Sequence, residues 1–219
     1  MTRYDPATRC ARCHAPLPLC YCHLLPKLAC PTFVTLIVHR NEILRSTATA
    51  STTHLCLANS RILPYGRPNE PLDPANLLAP RGMPLYLFPD EDAEVLDADW
   101  VAAHPGPWHL VVPDGSWGQA VRMRRRVPIL ATMRAVCLAD PGPSHYQLRT
   151  ARGPGRLCTL EAVAHALALL EGPAVRDALL QGLAIQVERM KGMRPRFRNQ
   201  SPRTDAVRTG PDSVVEPES

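Results

Sequence analysis

No apolar run in this 219-residue sequence approaches the roughly 20 residues that a membrane-crossing helix needs, which excludes that class of membrane protein. The opening Met1-Thr2-Arg3-Tyr4-Asp5 has no apolar core of a secretory leader, so the chain is expected in the cytoplasm. Internal repeats are absent. A P-loop and a GxGxxG turn are absent as well, which argues against a nucleotide hydrolase and against a Rossmann-type methyltransferase. Nothing in the pattern asks for an obligate protein partner.

What is present points to one substantial core with a small appendage. Hydrophobic residues make up 45% of the chain, an ordinary share for a globular domain. The net charge is +5, unevenly placed. Arginines gather after Trp117 and again at Arg189, Lys191, Arg194, Arg196, Arg198 and Arg203, while acids crowd Asp90-Glu91-Asp92-Ala93-Glu94 and the C-terminus. Such asymmetry favours a polyanion partner over a merely solvated surface.

Of the eight cysteines, five lie within the first thirty residues. In a reducing compartment, clustered thiols suggest a metal before disulfides. Cys10-x-x-Cys13 and Cys20-x-Cys22 supply four thiolates in two close pairs, enough to close a tetrahedral zinc site in a proline-rich segment too short for its own core. His14, His23 and Cys30 are substitutes, and without metal the thiols would be small buried hydrophobes. A site closed by four thiolates is structural, since no position is left for water.

Periodicity predicts strands alternating with helices, hence an α/β fold with a mostly parallel sheet flanked by helices. Strands are expected at Thr32–Val38, Leu85–Phe88, Trp108–Val112 and Arg134–Leu138. Helices are expected from a cap near Ser46 to about Ser60, over Asp97–His104, over Ser116–Arg126, from a cap at Thr159 through Leu160–Leu170, and over Ala174–Met190. Tyr65–Pro84 reads as loop, and Ser144, Tyr146 and Arg149 alternate as an edge strand would place them. The expected organisation is a zinc-binding module at 1–31, a catalytic domain at 32–195 and a polar tail at 196–219, too polar to pack.

The chain centres on Trp108-His109-Leu110-Val111-Val112-Pro113-Asp114-Gly115-Ser116-Trp117-Gly118-Gln119-Ala120-Val121-Arg122. It reads as strand, tight turn and helix start, the helix carrying a basic face through Arg122, Arg124, Arg125 and Arg126. In open α/β folds, ligands collect outside the carboxyl ends of strands. Turn chemistry alone makes Asp114 and Ser116 helix caps. An acid, a stacking ring and arginines together suit a nucleobase substrate. His39-Arg40-Asn41-Glu42 repeats the layout at the end of the first strand, so the two loops are expected to face one cleft.

Asp114-Gly115-Ser116-Trp117 resembles the Asp-x-Thr-Trp signature of the DTW-domain proteins, the tRNA-uridine aminocarboxypropyltransferases. The four-cysteine pattern, His39-x-x-Glu42, Leu87-Phe88-Pro89, Tyr146-x-Leu148-Arg149 and Leu157-Cys158-Thr159-Leu160-Glu161-Ala162 resemble the same family in the same order, covering roughly residues 10 to 170. Ser116 departs from the name-giving Thr. It keeps the hydroxyl and loses a methyl, and activity is expected to survive.

The resemblance implies a SPOUT-like fold with a C-terminal trefoil knot cradling S-adenosylmethionine. It also implies transfer of the 3-amino-3-carboxypropyl group to N3 of a tRNA uridine, releasing methylthioadenosine. The cofactor contacts so implied are Leu87, Phe88, Pro89, Val112, Pro113, Leu157, Cys158, Thr159 and Glu161. Asp114 is the expected general base, and a carboxylate in a dry pocket suits the weakly acidic N3. Ser116 and Trp117 share its catalytic loop, Trp117 packing or stacking on the base. His39, Glu42, Arg122, Arg125, Tyr146 and Arg149 are expected on the substrate RNA, Tyr146 and Arg149 at a phosphate or at the methionine carboxylate. Two other classes remain open: a SPOUT-type RNA methyltransferase and a non-enzymatic zinc-ribbon RNA adaptor.

Overall fold

The computed structural model describes residues 5–78, 81–140, 142–144, 146–148 and 156–191. Six strands form a single all-parallel sheet: β1 (Phe33–His39), β2 (Ser60–Tyr65), β3 (Met83–Leu87), β4 (Glu94–Val95), β5 (Trp108–Asp114) and β6 (Arg134–Cys137), in the order β2-β1-β5-β3-β6-β4. Helices are α1 (Thr49–Cys56), α2 (Pro74–Leu78), α3 (Ala98–Ala103), α4 (Trp117–Arg126), α5 (Pro128–Ala131), α6 (Thr159–Glu171) and α7 (Pro173–Lys191).

Side-chain alternation along the central strands divides the core in two. Leu36, Val38, Leu85, Leu87, Leu110 and Val112 face α1, α6 and α7. Ile37, Tyr86 and Val111 face Leu77, Ala120, Met123 and Leu130 on α2, α4 and α5. Because both faces are covered, β1 and β5 read as nearly continuous apolar runs. A polar pair lies inside: His109, 1% exposed, is hydrogen-bonded to the buried Thr35 hydroxyl at 2.8 Å, and burial, aided by the Arg61 guanidinium, pushes its pKa down to about 4.

Several boundaries differ from the sequence expectation for tertiary reasons. α1 starts at Thr49, with Ala48 as N-cap, and not near Ser46. The carbonyls of Ser46 and Thr47 are needed elsewhere, accepting from the Gln186 amide at 3.1 Å and from the Tyr146 hydroxyl. The helix ends at Cys56, where Leu28 pairs with the chain through its N–H to the Cys56 carbonyl at 2.8 Å. The stretch read as loop from Tyr65 to Pro84 contains α2 and the start of β3. β2 was not legible, because Pro64 breaks a strand pattern; the proline is accommodated because β2 is an edge strand. The two-residue β4 and the single turn of α5 carry too little pattern to be read. Ser144 and Tyr146 lie outside any strand. Arg149 and the tail from 192 lie outside the described residues.

The N-terminal segment folds onto the α1, α6 and α7 side. Cys13, Tyr21 and Leu25 are buried in the same cluster as Leu36, Leu167 and Leu183. The Tyr21 hydroxyl meets that of Thr52 on α1 at 3.0 Å. None of the described helices is long and apolar enough to cross a membrane.

Candidate active site and metal centre

Because every strand runs the same way, the carboxyl ends of β1, β5, β3 and β6 share one edge of the sheet. Asp114 stands there as the last residue of β5, paired in register with Val38 of β1, and is 7% exposed. The strand therefore runs two residues further than expected, and the acid is held by the sheet itself rather than by a turn. The Thr159 hydroxyl donates to one oxygen of the Asp114 carboxylate. Thr159 is thus the first residue of α6, turned toward β5, and Cys158 takes the N-cap position that Thr159 was expected to hold.

Gly115 lets the chain leave β5 closely: a Cβ there would lie 2.9 Å from the Gln119 side-chain oxygen. That oxygen accepts the Ser116 N–H at 2.7 Å, tying the entry of α4. The Gln119 amide also reaches the His39 ring, 3.2 Å from Nδ1. His39 accordingly braces the β1 and β5 loops against each other, and its pKa is lowered by burial and by Arg40.

Two cavities meet at this loop. The first, about 330 Å³, is mostly apolar and is lined by Leu87, Phe88 and Pro89 after β3, Val112 and Pro113 of β5, Cys137 to Asp140 after β6, and Leu157, Thr159 and Ala162. Its size falls in the range of small-molecule sites, roughly 300–1,000 Å³. The second, a polar cleft of about 600 Å³, is lined by Glu42, Arg45, Thr47 to Thr49, Asp114, Ser116, Gly118, Ser144, Tyr146, Arg156 and Cys158. Gly115, Trp117, Leu157 and Thr159 line both and form the partition.

Trp117 is not a core residue. It is 42% exposed, tilted against Phe88 with ring centroids 5.0 Å apart, and covered by the Arg156 guanidinium at 4.7 Å. Arg156 was not among the expected site residues, although the loop that follows it was expected at the cofactor. The only available signal was its place directly before Leu157-Cys158-Thr159.

The other expected residues separate into groups. Glu42 is buried in the cleft wall, its carboxylate 3.3 Å from Arg45. Tyr146 lines the cleft, but its hydroxyl is bonded to the Thr47 carbonyl, fastening this loop to the β1–α1 connection. Glu161, 2% exposed, accepts the Cys158 N–H at 2.9 Å and the Ser144 hydroxyl at 2.7 Å, so it builds the wall from behind. Arg122 and Arg125 are exposed on α4. Arg124, expected on the same basic face, is buried over the Tyr86 ring and ion-paired with Asp90 and Asp92 at 3.2 and 2.9 Å. It holds the loop after β3 in place.

The four thiols converge. Sγ of Cys10 lies 3.8 Å from that of Cys22, Sγ of Cys13 lies 3.9 Å from that of Cys20, and all four fall within 4.8 Å of one another. A tetrahedron with metal–sulfur bonds of about 2.3 Å has edges of about 3.8 Å, so the arrangement fits a metal site closed by four thiolates. His14, at a positive φ of 57°, closes the first turn with its N–H on the Cys10 carbonyl at 2.9 Å. Burial pushes the Cys10 thiol up, but the N–H groups of Cys13 and Arg12 together with the Cys20 and Cys13 thiols bring it down to about 6, whereas burial pushes Cys13 and Cys22 up.

The DTW domain matches residues 7–191. The tRNA-uridine aminocarboxypropyltransferase 2 of Drosophila melanogaster is 33% identical over 189 residues, covering 82% of this chain and 74% of the fly protein. The proteins of the same name from Macaca fascicularis and Mus musculus are each 28% identical, and the matches cover 63% and 60% of their lengths. No solved structure matches the chain significantly.

Proposed function

Since the chain belongs to the DTW-domain family, we propose that it is a tRNA-uridine aminocarboxypropyltransferase that uses S-adenosylmethionine as group donor. The observation that carries this reading is the position of Asp114 in the wall of the polar cleft, directly before Gly115, which with Trp117, Leu157 and Thr159 separates that cleft from the apolar cavity. The apolar cavity suits the adenosine and methylthio parts of the donor, with loop backbone after β3 and β6 available to the base edge. The polar cleft suits the charged aminocarboxypropyl end and the uracil.

In this arrangement the uracil N3–H gives its proton to the Asp114 carboxylate while the N3 lone pair forms a bond to the γ-carbon. The carbon–sulfur bond breaks, and its electron pair stays on sulfur as neutral methylthioadenosine. The donor sulfonium supplies the leaving group, so the protein's task is presentation of the γ-carbon and removal of one proton. The Thr159 hydroxyl keeps the carboxylate oriented, and Trp117 offers its exposed ring to the base. Arg122 and Arg125 contact phosphates without reading sequence.

Three further parts belong to the same reading. Cys10, Cys13, Cys20 and Cys22 would hold a structural zinc, supported by their tetrahedral spacing. It would brace the 1–31 segment against the 32–195 domain and take no part in the transfer. A trefoil crossing belongs to the same reading through the family resemblance; the described strand order places β5 between β1 and β3 and β6 between β3 and β4.

The test is mass spectrometry of nucleosides from unmodified tRNA incubated with the protein and S-adenosylmethionine. The expected product is an aminocarboxypropyl-uridine, with one methylthioadenosine released per modified base. A methylated nucleoside would move the chain to the methyltransferases. No product, despite tight tRNA binding, would make it an adaptor.

A further inference from the structure

The β1–α1 connection is a wall with two sides. Glu42 and Thr47 line the substrate cleft, while Ser51 and His54 on α1 line a separate cavity of about 560 Å³. Its opposite wall is the cysteine knuckle, which contributes Arg12 and His14, and Val38 and Ile43 give it an apolar floor. None of the described residues lining it is acidic. Arg12 is exposed, yet its backbone is fixed, since it stands between Cys10 and Cys13 with its N–H on the Cys10 sulfur. Its guanidinium is close enough to His54 to oppose protonation of that ring, second to burial, and Lys27 acts in the same sense. Arg12 on the knuckle and Arg61 on β2 both line the cavity, so two guanidinium groups make it cationic.

We propose that this cavity binds a backbone phosphate of the RNA substrate, with Arg12 as the anchoring cation. A cationic rim over an apolar floor matches a nucleotide, with the phosphate at the rim and the sugar against the floor. The location fits a strand whose target base enters the neighbouring cleft. Val38, which lines this cavity, pairs with Asp114 of the cleft across β1 and β5, strands about 4.8 Å apart, so the two sites are near enough for one RNA strand to span both. The knuckle then has a second consequence beyond stability: it presents Arg12 at a set distance from α1. The inference rests on the reading of the chain as an RNA-modifying enzyme.

The experiment is fluorescence anisotropy of unmodified tRNAs of differing sequence with the full chain, at several salt concentrations, for wild type, Arg12→Ala and His54→Glu. Both variants are expected to bind about tenfold more weakly for every tRNA. In Arg12→Ala the slope of log affinity against log salt should fall by about 0.9, the value for one phosphate contact. S-adenosylmethionine affinity and zinc content should stay as in wild type for both, and Tm for Arg12→Ala; His54→Glu gives up the His54–Ser60 hydrogen bond at 2.9 Å and is read only where it remains folded. If Arg12→Ala loses zinc, His54→Glu decides alone, because it lies on α1 outside the knuckle. Wild-type tRNA affinity in folded His54→Glu, or unchanged affinity and slope in zinc-replete Arg12→Ala, overturns the inference and leaves the proposed function standing. A wild-type chain that binds no tRNA removes both.

Discussion

Asp114 combines features that seldom coincide on an ordinary surface acid. It terminates a central strand, is almost fully buried, and takes a hydrogen bond from a helix that begins 45 residues later in the chain. If it is the base, Asp114→Asn keeps the shape of the site and removes only the proton acceptor. Transfer is expected to fall by at least about a hundredfold, as for loss of a general base, while S-adenosylmethionine binding is retained. Methylthioadenosine release and equilibrium dialysis measure the two separately, and wild-type turnover would take the role away from Asp114. Ser116 is exposed beside it, with its N–H capped by Gln119 and its side chain at the cleft, a setting in which a missing methyl has little to disturb. Residue identity was legible here because an acid, a glycine and a tryptophan following an apolar run are local signals. That Thr159 would turn toward Asp114 was not, since the contact joins distant parts of the chain.

At the scale of the element, α4 shows how a run of like residues divides by helical phase. Arg122, Arg125 and Arg126 face solvent, whereas Arg124 turns inward onto Tyr86, Asp90 and Asp92. Arg124→Ala should therefore cost about 1–3 kcal/mol of stability, through lost packing and two carboxylates left without their cation. Arg125→Ala should leave stability within about 0.5 kcal/mol and instead weaken tRNA binding and its salt dependence. Urea melts and anisotropy titrations distinguish them, and equal destabilisation by the two changes would contradict the assignment. α1 teaches the complementary lesson. Its hydroxyl-rich start offers several caps, and the choice among them is made by α7 and the Tyr146 loop, which claim the carbonyls of Ser46 and Thr47.

For the whole molecule, the knuckle and the α/β layers share one core through Cys13, Tyr21 and Leu25. If the four thiolates hold a metal, its removal by a chelator under reducing conditions is expected to lower the Tm of the entire domain by about 5–10 °C in one transition. A separate low-temperature transition in calorimetry, with the main one unmoved, would mean that the knuckle is an independent appendage. Acid stability should follow His109. Its pKa is about 4 when folded and near 6.5 when unfolded, so within that window the unfolded chain carries the extra proton and stability rises with pH. The contribution is complete above about 6.5 and is lost as pH falls toward 4, at a steepest slope of about 1.4 kcal/mol per pH unit. Denaturation at intervals across that range measures the slope, and His109→Gln should flatten it.

The α/β class, the central strands, the long helices α6 and α7, the cysteine pairs and the Asp114 loop could all be read from the order of the amino acids alone. Each of these depends on periodicity or spacing among near neighbours, which the local chain carries. Folding was needed to put β5 between β1 and β3, to make Arg124 a strut and Arg156 a neighbour of Trp117, and to set Glu161 as a brace behind a wall. It also placed Arg12 of the knuckle across a cavity from His54 of α1. Those outcomes depend on which backbone and charged groups find partners once separate stretches are packed together, and burial, which sets the cost of leaving any of them unpaired, exists only in the folded chain.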